Sequence, residues 1–163
     1  FAVKNIIALA KSRDIKLSII ASPIHPVQME MIYGTGIFGE YSRHLSVISR
    51  LSEESNIPFI AFNIYARPFS SDFFNAEMET TDKDILSYSD GVHFSPALGI
   101  ELVQILKGHA SKLNANLSIK LTPKNVNAYT EYLSNSREVY MRDNAVVKKL
   151  IADIKKINPR INN

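Results

Sequence analysis

The sequence contains no cysteine, no internal repeat, no low-complexity tract and no apolar run that approaches a membrane span. The lack of cysteine excludes disulfides, thiolate zinc sites and a cysteine nucleophile from these residues. A helix that crosses a bilayer needs roughly 20 apolar residues, so these residues predict no transmembrane helix. A signal peptide or membrane anchor before Phe1 stays open, so the sequence assigns neither a compartment nor a membrane association.

The composition is that of an ordinary globular domain, with 163 residues, 45% of them hydrophobic and 21% charged. The net charge of +3 is unevenly distributed, because residues 137–163 contain seven basic and three acidic side chains. A basic segment of this kind is typical of sites that bind phosphates or an anionic membrane surface. No aromatic residues alternate with these charges, as they do on single-strand nucleic-acid platforms. We therefore favour a solvated helix face and predict no nucleic-acid partner.

Metal and cofactor chemistry has little support in the sequence. The four histidines (His25, His44, His93 and His109) show no zinc-ligand spacing, and we expect neither a metal nor a cofactor. The Gly34-Thr35-Gly36 segment lacks the Lys-Ser/Thr pair of a phosphate-binding loop, so it predicts a flexible loop.

Apolar periodicity predicts alternating helices and strands. Two short β-branched or aromatic runs, Lys16–Ala21 and Phe59–Tyr65, predict buried parallel strands. Residues 67–84 contain Phe69, Phe73 and Phe74 without a clear period, and predict a long irregular loop that either packs or contacts substrate. Helices are predicted at Val3–Lys11, Glu40–Glu54, after Ser95, from Pro123 to about Asn135 with Thr122 as N-cap, and from about Ser136 to Ile157.

The segment from Tyr88 to Gly99 contains an acid and an imidazole three residues apart, Asp90 and His93. Ser95 has the chemistry of an N-cap and Pro96 suits the first helical position. Asp90 and His93 are therefore expected on a loop anchored by the following helix. In a Ser-His-Asp arrangement the carboxylate orients the imidazole, which takes the proton from a hydroxyl nucleophile. The same pattern also suits capping and a solvated loop without catalysis.

A third candidate residue, His25, follows the first predicted strand in Ser22-Pro23-Ile24-His25. Ligands of open α/β sheets bind beyond the carboxyl ends of the strands, so His25 is expected near Asp90 and His93 as a substrate-contacting or orienting residue. Ser22 with His25 makes a weaker nucleophile and base pair, because Pro23 prevents an immediate strand-to-helix elbow.

The run Asp90-Gly-Val-His93-Phe-Ser-Pro-Ala-Leu-Gly99, followed by an amphipathic helix, resembles the last conserved block of the SGNH (GDSL-like) hydrolases. The resemblance implies a three-layer α/β/α fold with a flavodoxin-like parallel sheet, and it covers residues from about Asn5 to Leu106. It implies Asp90 and His93 as the acid and base of a catalytic triad. The Ser-Pro-x-His turn at His25 is similar to the corresponding segment in one branch of these proteins.

Two motifs of that family do not occur in this sequence. The Gly-Asp-Ser block of the nucleophile and the Gly-x-Asn-Asp block of the oxyanion donors are both absent. The sequence begins at Phe1 and enters directly on a helical pattern, so we expect the first strands of the domain to be missing. We predict the C-terminal half of an SGNH-like domain at residues 1–110 and a C-terminal helical extension at residues 111–163.

Two functional hypotheses follow. In the first, the parent protein is an SGNH-like esterase or O-acyltransferase acting on an acyl ester or acetylated carbohydrate, with its serine upstream and little activity in these residues alone. In the second, the chain is a noncatalytic binding or scaffolding module that kept the fold and lost the nucleophile. In both, an unpaired sheet edge predicts pairing with the missing N-terminal half or with another chain.

Overall fold

The centre of the molecule is a small mixed sheet in the strand order β1-β2-β3. A computed structural model of the chain describes residues 2–66, 69–70, 88, 92–111, 113 and 117–157. Strand β1 (Ile19–Ile20) pairs in parallel with β2 (Phe59–Phe62), with Ile19 opposite Phe59. Strand β3 (Ser118–Lys120) pairs antiparallel with β2, with Ala61 opposite Ile119. The predicted α/β class is therefore confirmed.

Six helices surround this sheet in the part of the chain that the structure describes. Their bounds are α1 (Ala2–Ser12), α2 (Pro26–Gly34), α3 (Phe38–Ser55), α4 (Pro96–Lys107), α5 (Val126–Asp143) and α6 (Ala145–Ile157). None of these helices is long and apolar enough to cross a membrane.

Alternation along β2 divides the core into two clusters, because successive strand residues point to opposite faces of a sheet. Phe59 and Ala61 join the larger cluster with side chains of α2, α3 and α5, whereas Phe62 joins the smaller cluster with Leu98 and Leu102 of α4. Helix α4 thus covers the face opposite to α2, α3 and α5. The position of α4 also determines where the chain segment immediately before the helix lies.

The ends of α4 follow the sequence signals. Ser95 Oγ accepts a hydrogen bond from the Leu98 N–H at 3.2 Å, and Pro96 occupies the first helical position, as predicted. Gly108 terminates the helix with φ of 68°, a left-handed conformation that glycine adopts without the Cβ penalty.

The predicted loop at residues 34–36 corresponds to a turn at residues 35–37 between α2 and α3, with Gly34 as the last residue of α2. Two local predictions were wrong. Helix α5 runs without a break through Ser136 and ends at Asp143. Thr122 does not cap α5. Instead, Asn125 Oδ1 accepts hydrogen bonds from the backbone N–H and the hydroxyl of Thr122, so the asparagine organises the turn.

Side chains from both sides of residue 110 share the larger core cluster. Val126, Tyr129 and Leu133 of α5 pack there with Leu45 and Ile48 of α3. The division into a domain and an extension at residue 110 stays a prediction. Of the three loop phenylalanines, Phe69 is buried in the smaller cluster, and Phe73 and Phe74 lie outside the described residues.

Candidate functional site

The segment that precedes α4 is anchored by Phe94. This residue forms an antiparallel bridge with Tyr88, and the two rings meet edge to face with centroids 6.4 Å apart. A Cβ added to Gly99 would lie 3.2 Å from Cε2 of Phe94, so the glycine leaves room for the phenylalanine ring against the helix. Packing of Phe94 and the Ser95 cap together fix where the chain enters α4.

His93 is exposed beside these anchors. It immediately precedes Phe94, which packs against the core, and Ser95, which caps the helix. The imidazole therefore stands on a fixed piece of backbone and remains accessible from solvent. Asp90 lies outside the described residues, so its pairing with His93 stays a prediction.

His25 is only 1% exposed and is the N-cap of helix α2. Its Nδ1 accepts a hydrogen bond from the Val27 N–H at 3.2 Å. An imidazole nitrogen that accepts has no proton, so the neutral ring carries its proton on Nε2. This N-cap bond explains a histidine here on structural grounds, and a contact between His25 and substrate stays a prediction.

The residue that brings the two histidine-bearing segments together is Tyr88, which the sequence did not single out. The ring of His25 meets the ring of Tyr88 edge to face, with centroids 5.5 Å apart. Because Tyr88 also pairs with Phe94, the turn after β1 lies beside the segment that carries His93. No short motif marks Tyr88, because its contact with His25 joins residues far apart in the sequence and its contact with Phe94 depends on the β-bridge between them.

The Tyr88 side chain is buried, and burial raises the pKa of its hydroxyl above the ordinary value. The hydroxyl makes no hydrogen bond with other described residues. It is therefore a neutral phenol at every physiological pH, and it acts here as a packing residue between His25 and Phe94.

A second buried polar group lies between α2 and α5. The Glu30 carboxylate accepts hydrogen bonds from Nε and Nη2 of Arg137 at 2.9 and 2.8 Å. The guanidinium also stacks over the Tyr33 ring, 4.5 Å from its centroid, and the Tyr33 hydroxyl meets Ser134 at 3.0 Å. The two charged residues are 107 positions apart, so the sequence contained no sign of this pair.

Among the described residues no group of three acidic, histidine or cysteine side chains is arranged to hold a metal ion. His44 is exposed on α3 and His109 is exposed just after the end of α4, and the His109 ring contacts the Gln104 side chain at 3.0 Å. A comparison with models of protein families, with curated proteins and with solved structures finds no match to this chain.

Proposed function

We propose that the chain is the C-terminal part of an SGNH-like serine ester hydrolase or O-acyltransferase, with a three-layer α/β/α domain and the nucleophilic serine upstream of these residues. Asp90 orients His93, and His93 is the general base. The observation that supports this most is the exposed His93 ring on backbone fixed by Phe94 and Ser95. The Tyr88–Phe94 bridge holds both ends of the segment that contains Asp90 and His93.

In the proposed cycle, His93 takes the hydroxyl proton of the serine as the serine oxygen attacks the ester carbonyl. His93 then gives that proton to the departing alcohol, which leaves an acyl-serine ester. In the second half, His93 takes a proton from the acceptor, whose oxygen attacks the acyl carbon, and returns the proton to the serine. Backbone or side-chain N–H donors upstream would stabilise the two tetrahedral oxyanions. Each proton taken is returned, so no cofactor is required.

The acceptor decides the reaction class. Water gives an ester hydrolase, and a sugar hydroxyl gives an O-acetyltransferase. The proposed substrates are therefore acyl esters or acetylated carbohydrates.

The test is substitution of His93 in the natural protein that contains these residues. His93→Ala should lower hydrolysis of p-nitrophenyl acetate by about 10²- to 10⁴-fold, the usual contribution of a general base. Circular dichroism should remain unchanged, because the ring is exposed. His44→Ala is the matched control, since His44 is an exposed histidine on α3, and it should retain full activity.

Near-normal turnover of His93→Ala would remove this residue from the mechanism. A fluorophosphonate probe, which labels activated serines covalently, separates the two hypotheses for the whole protein. Labelling that disappears in His93→Ala supports the serine enzyme. A folded protein that is never labelled and hydrolyses no ester would favour the noncatalytic binding module.

A further inference from the structure

A cleft of about 310 Å³ lies between the β3 edge of the sheet and helix α5. Its sheet side is lined by Asn63, Leu117 and Ile119, and its helix side by Ala128 and the two tyrosines that flank it on the helix face, Tyr129 and Tyr132. The volume is at the small end of the range for ligand pockets. The cleft suits a single ring or two fused rings and is too small for a helix or a strand.

Ala128 has the smallest side chain in the lining of the cleft. Asn125, Ala128, Tyr129 and Tyr132 recur at helical spacing and share one face of α5. The Tyr129 hydroxyl is already committed, because it donates to the Phe62 carbonyl at 2.8 Å. The Tyr132 side chain is exposed at the mouth and offers an aromatic surface for stacking.

The chemistry of the lining selects a neutral ligand. None of the described side chains around the cleft is charged. Among the polar residues of the lining, which are Asn63, Ser118 and Asn125, Asn63 has a buried Oδ1 that makes no hydrogen bond with described residues. Native structures pair nearly all such oxygens, so an unpaired one calls for an explanation. The terminal torsion of asparagine is broad, and the proposal requires a partial turn of the amide that brings this oxygen to a donor in the cleft.

We propose that this cleft binds a neutral aromatic small molecule that carries an N–H or O–H group, with the ring against Tyr132 and the donor on Asn63. The proposal stands apart from the hydrolase hypothesis, since it involves neither His93 nor Asp90. Indole is a suitable probe because it combines one ring system with one N–H. Indene has the same shape without the donor.

The experiment is equilibrium dialysis of labelled indole against the natural protein, with indene as competitor. We expect one saturable site, and indene about five-fold weaker than indole, as one net hydrogen bond implies. Asn63→Leu removes the acceptor at similar size, so it should bind the two probes equally. Ala128→Phe fills the cleft from an exposed helix position and should abolish binding. Ala8→Phe, at an exposed alanine of α1, is the control and should bind normally.

The proposal is overturned if indole shows no saturable binding, if indene binds as tightly as indole, or if Ala128→Phe binds as the unsubstituted protein does. Should Asn63→Leu fail to fold, the comparison of indole with indene and the Ala128→Phe variant still decide the question. We expect all of these variants to retain esterase activity, because the cleft and the proposed hydrolase site are independent.

Discussion

At the scale of single residues, the two buried polar side chains of α2 and its N-cap, Glu30 and His25, are explained by their partners. His25 is buried because its Nδ1 satisfies a backbone N–H at the start of α2, where the first amides of a helix have no partner within the helix. Glu30 is buried because Arg137 meets it with two hydrogen bonds. A buried carboxylate is costly unless it is paired, so this pair joins α2 to α5 firmly.

Removal of the arginine should therefore destabilise the fold. Arg137→Met leaves the Glu30 carboxylate buried, 1% exposed, without its guanidinium partner. We expect the free energy of unfolding to fall by about 3 kcal/mol, the lower end of the range for broken buried pairs, because the Arg137 side chain is 34% exposed. Urea denaturation measures the change.

Two further variants make this result specific. Glu30→Met combined with Arg137→Met should be more stable than Arg137→Met alone, because no charge remains buried. Arg142→Met is the control, since the Arg142–Asp143 pair is exposed and such pairs contribute about 0–1 kcal/mol. If Arg137→Met and Arg142→Met lower the free energy of unfolding equally, burial of Glu30 does not determine the loss of stability.

At the scale of secondary-structure elements, helix α4 is defined by local signals at both ends, Ser95 and Gly108. Its inner face packs Leu98 and Leu102 into the smaller core cluster. Because the Ser95 cap directly follows His93 and Phe94, the start of the helix and the position of His93 depend on the same few residues.

Ser95→Ala removes the side-chain acceptor of the Leu98 N–H. We expect a loss of about 1 kcal/mol in the free energy of unfolding, the typical value of an N-cap. Chemical denaturation measures it, with Ser46→Ala as the control. Ser46 lies inside α3, where alanine is the better helix former, so its replacement should be neutral or slightly stabilising. A Ser95→Ala variant as stable as the unsubstituted protein would contradict the importance of this cap.

At the scale of the whole molecule, the sheet is small and its β1 edge has no neighbouring strand among the described residues. Ile20 on this edge is 43% exposed. Open edges with apolar side chains pair with other chains. The predicted partner strand, from a missing N-terminal half or another chain, stays a prediction.

Ile20→Lys places a charge on that edge and should reduce concentration-dependent self-association, which light scattering measures. Ile6→Lys is the matched control, because Ile6 is 55% exposed on helix α1 and the substitution adds the same charge outside the sheet. It should have a much smaller effect. If both substitutions reduce association equally, net charge and not edge pairing is responsible.

The sequence by itself determined the elements whose signals are local. Periodicity located α1, α3 and α4, and Ser95 with Pro96 fixed where α4 begins, because caps and apolar faces depend on neighbouring residues. It missed β3, whose three residues become a strand only by pairing with β2. It also broke α5 at Ser136, although the helix runs without interruption to Asp143.

Only the tertiary structure decided which distant residues meet. It placed Tyr88 between His25 and Phe94, paired Glu30 with Arg137, and opened the cleft beside Asn63. The resemblance that supplied Asp90 and His93 was sequence information, and their pairing is still a prediction. Contacts across 67 or 107 positions, such as Tyr129 with Phe62 or Arg137 with Glu30, arise from packing of whole elements. No periodicity or short motif encodes them, because their energy depends on burial that exists only after the chain has folded.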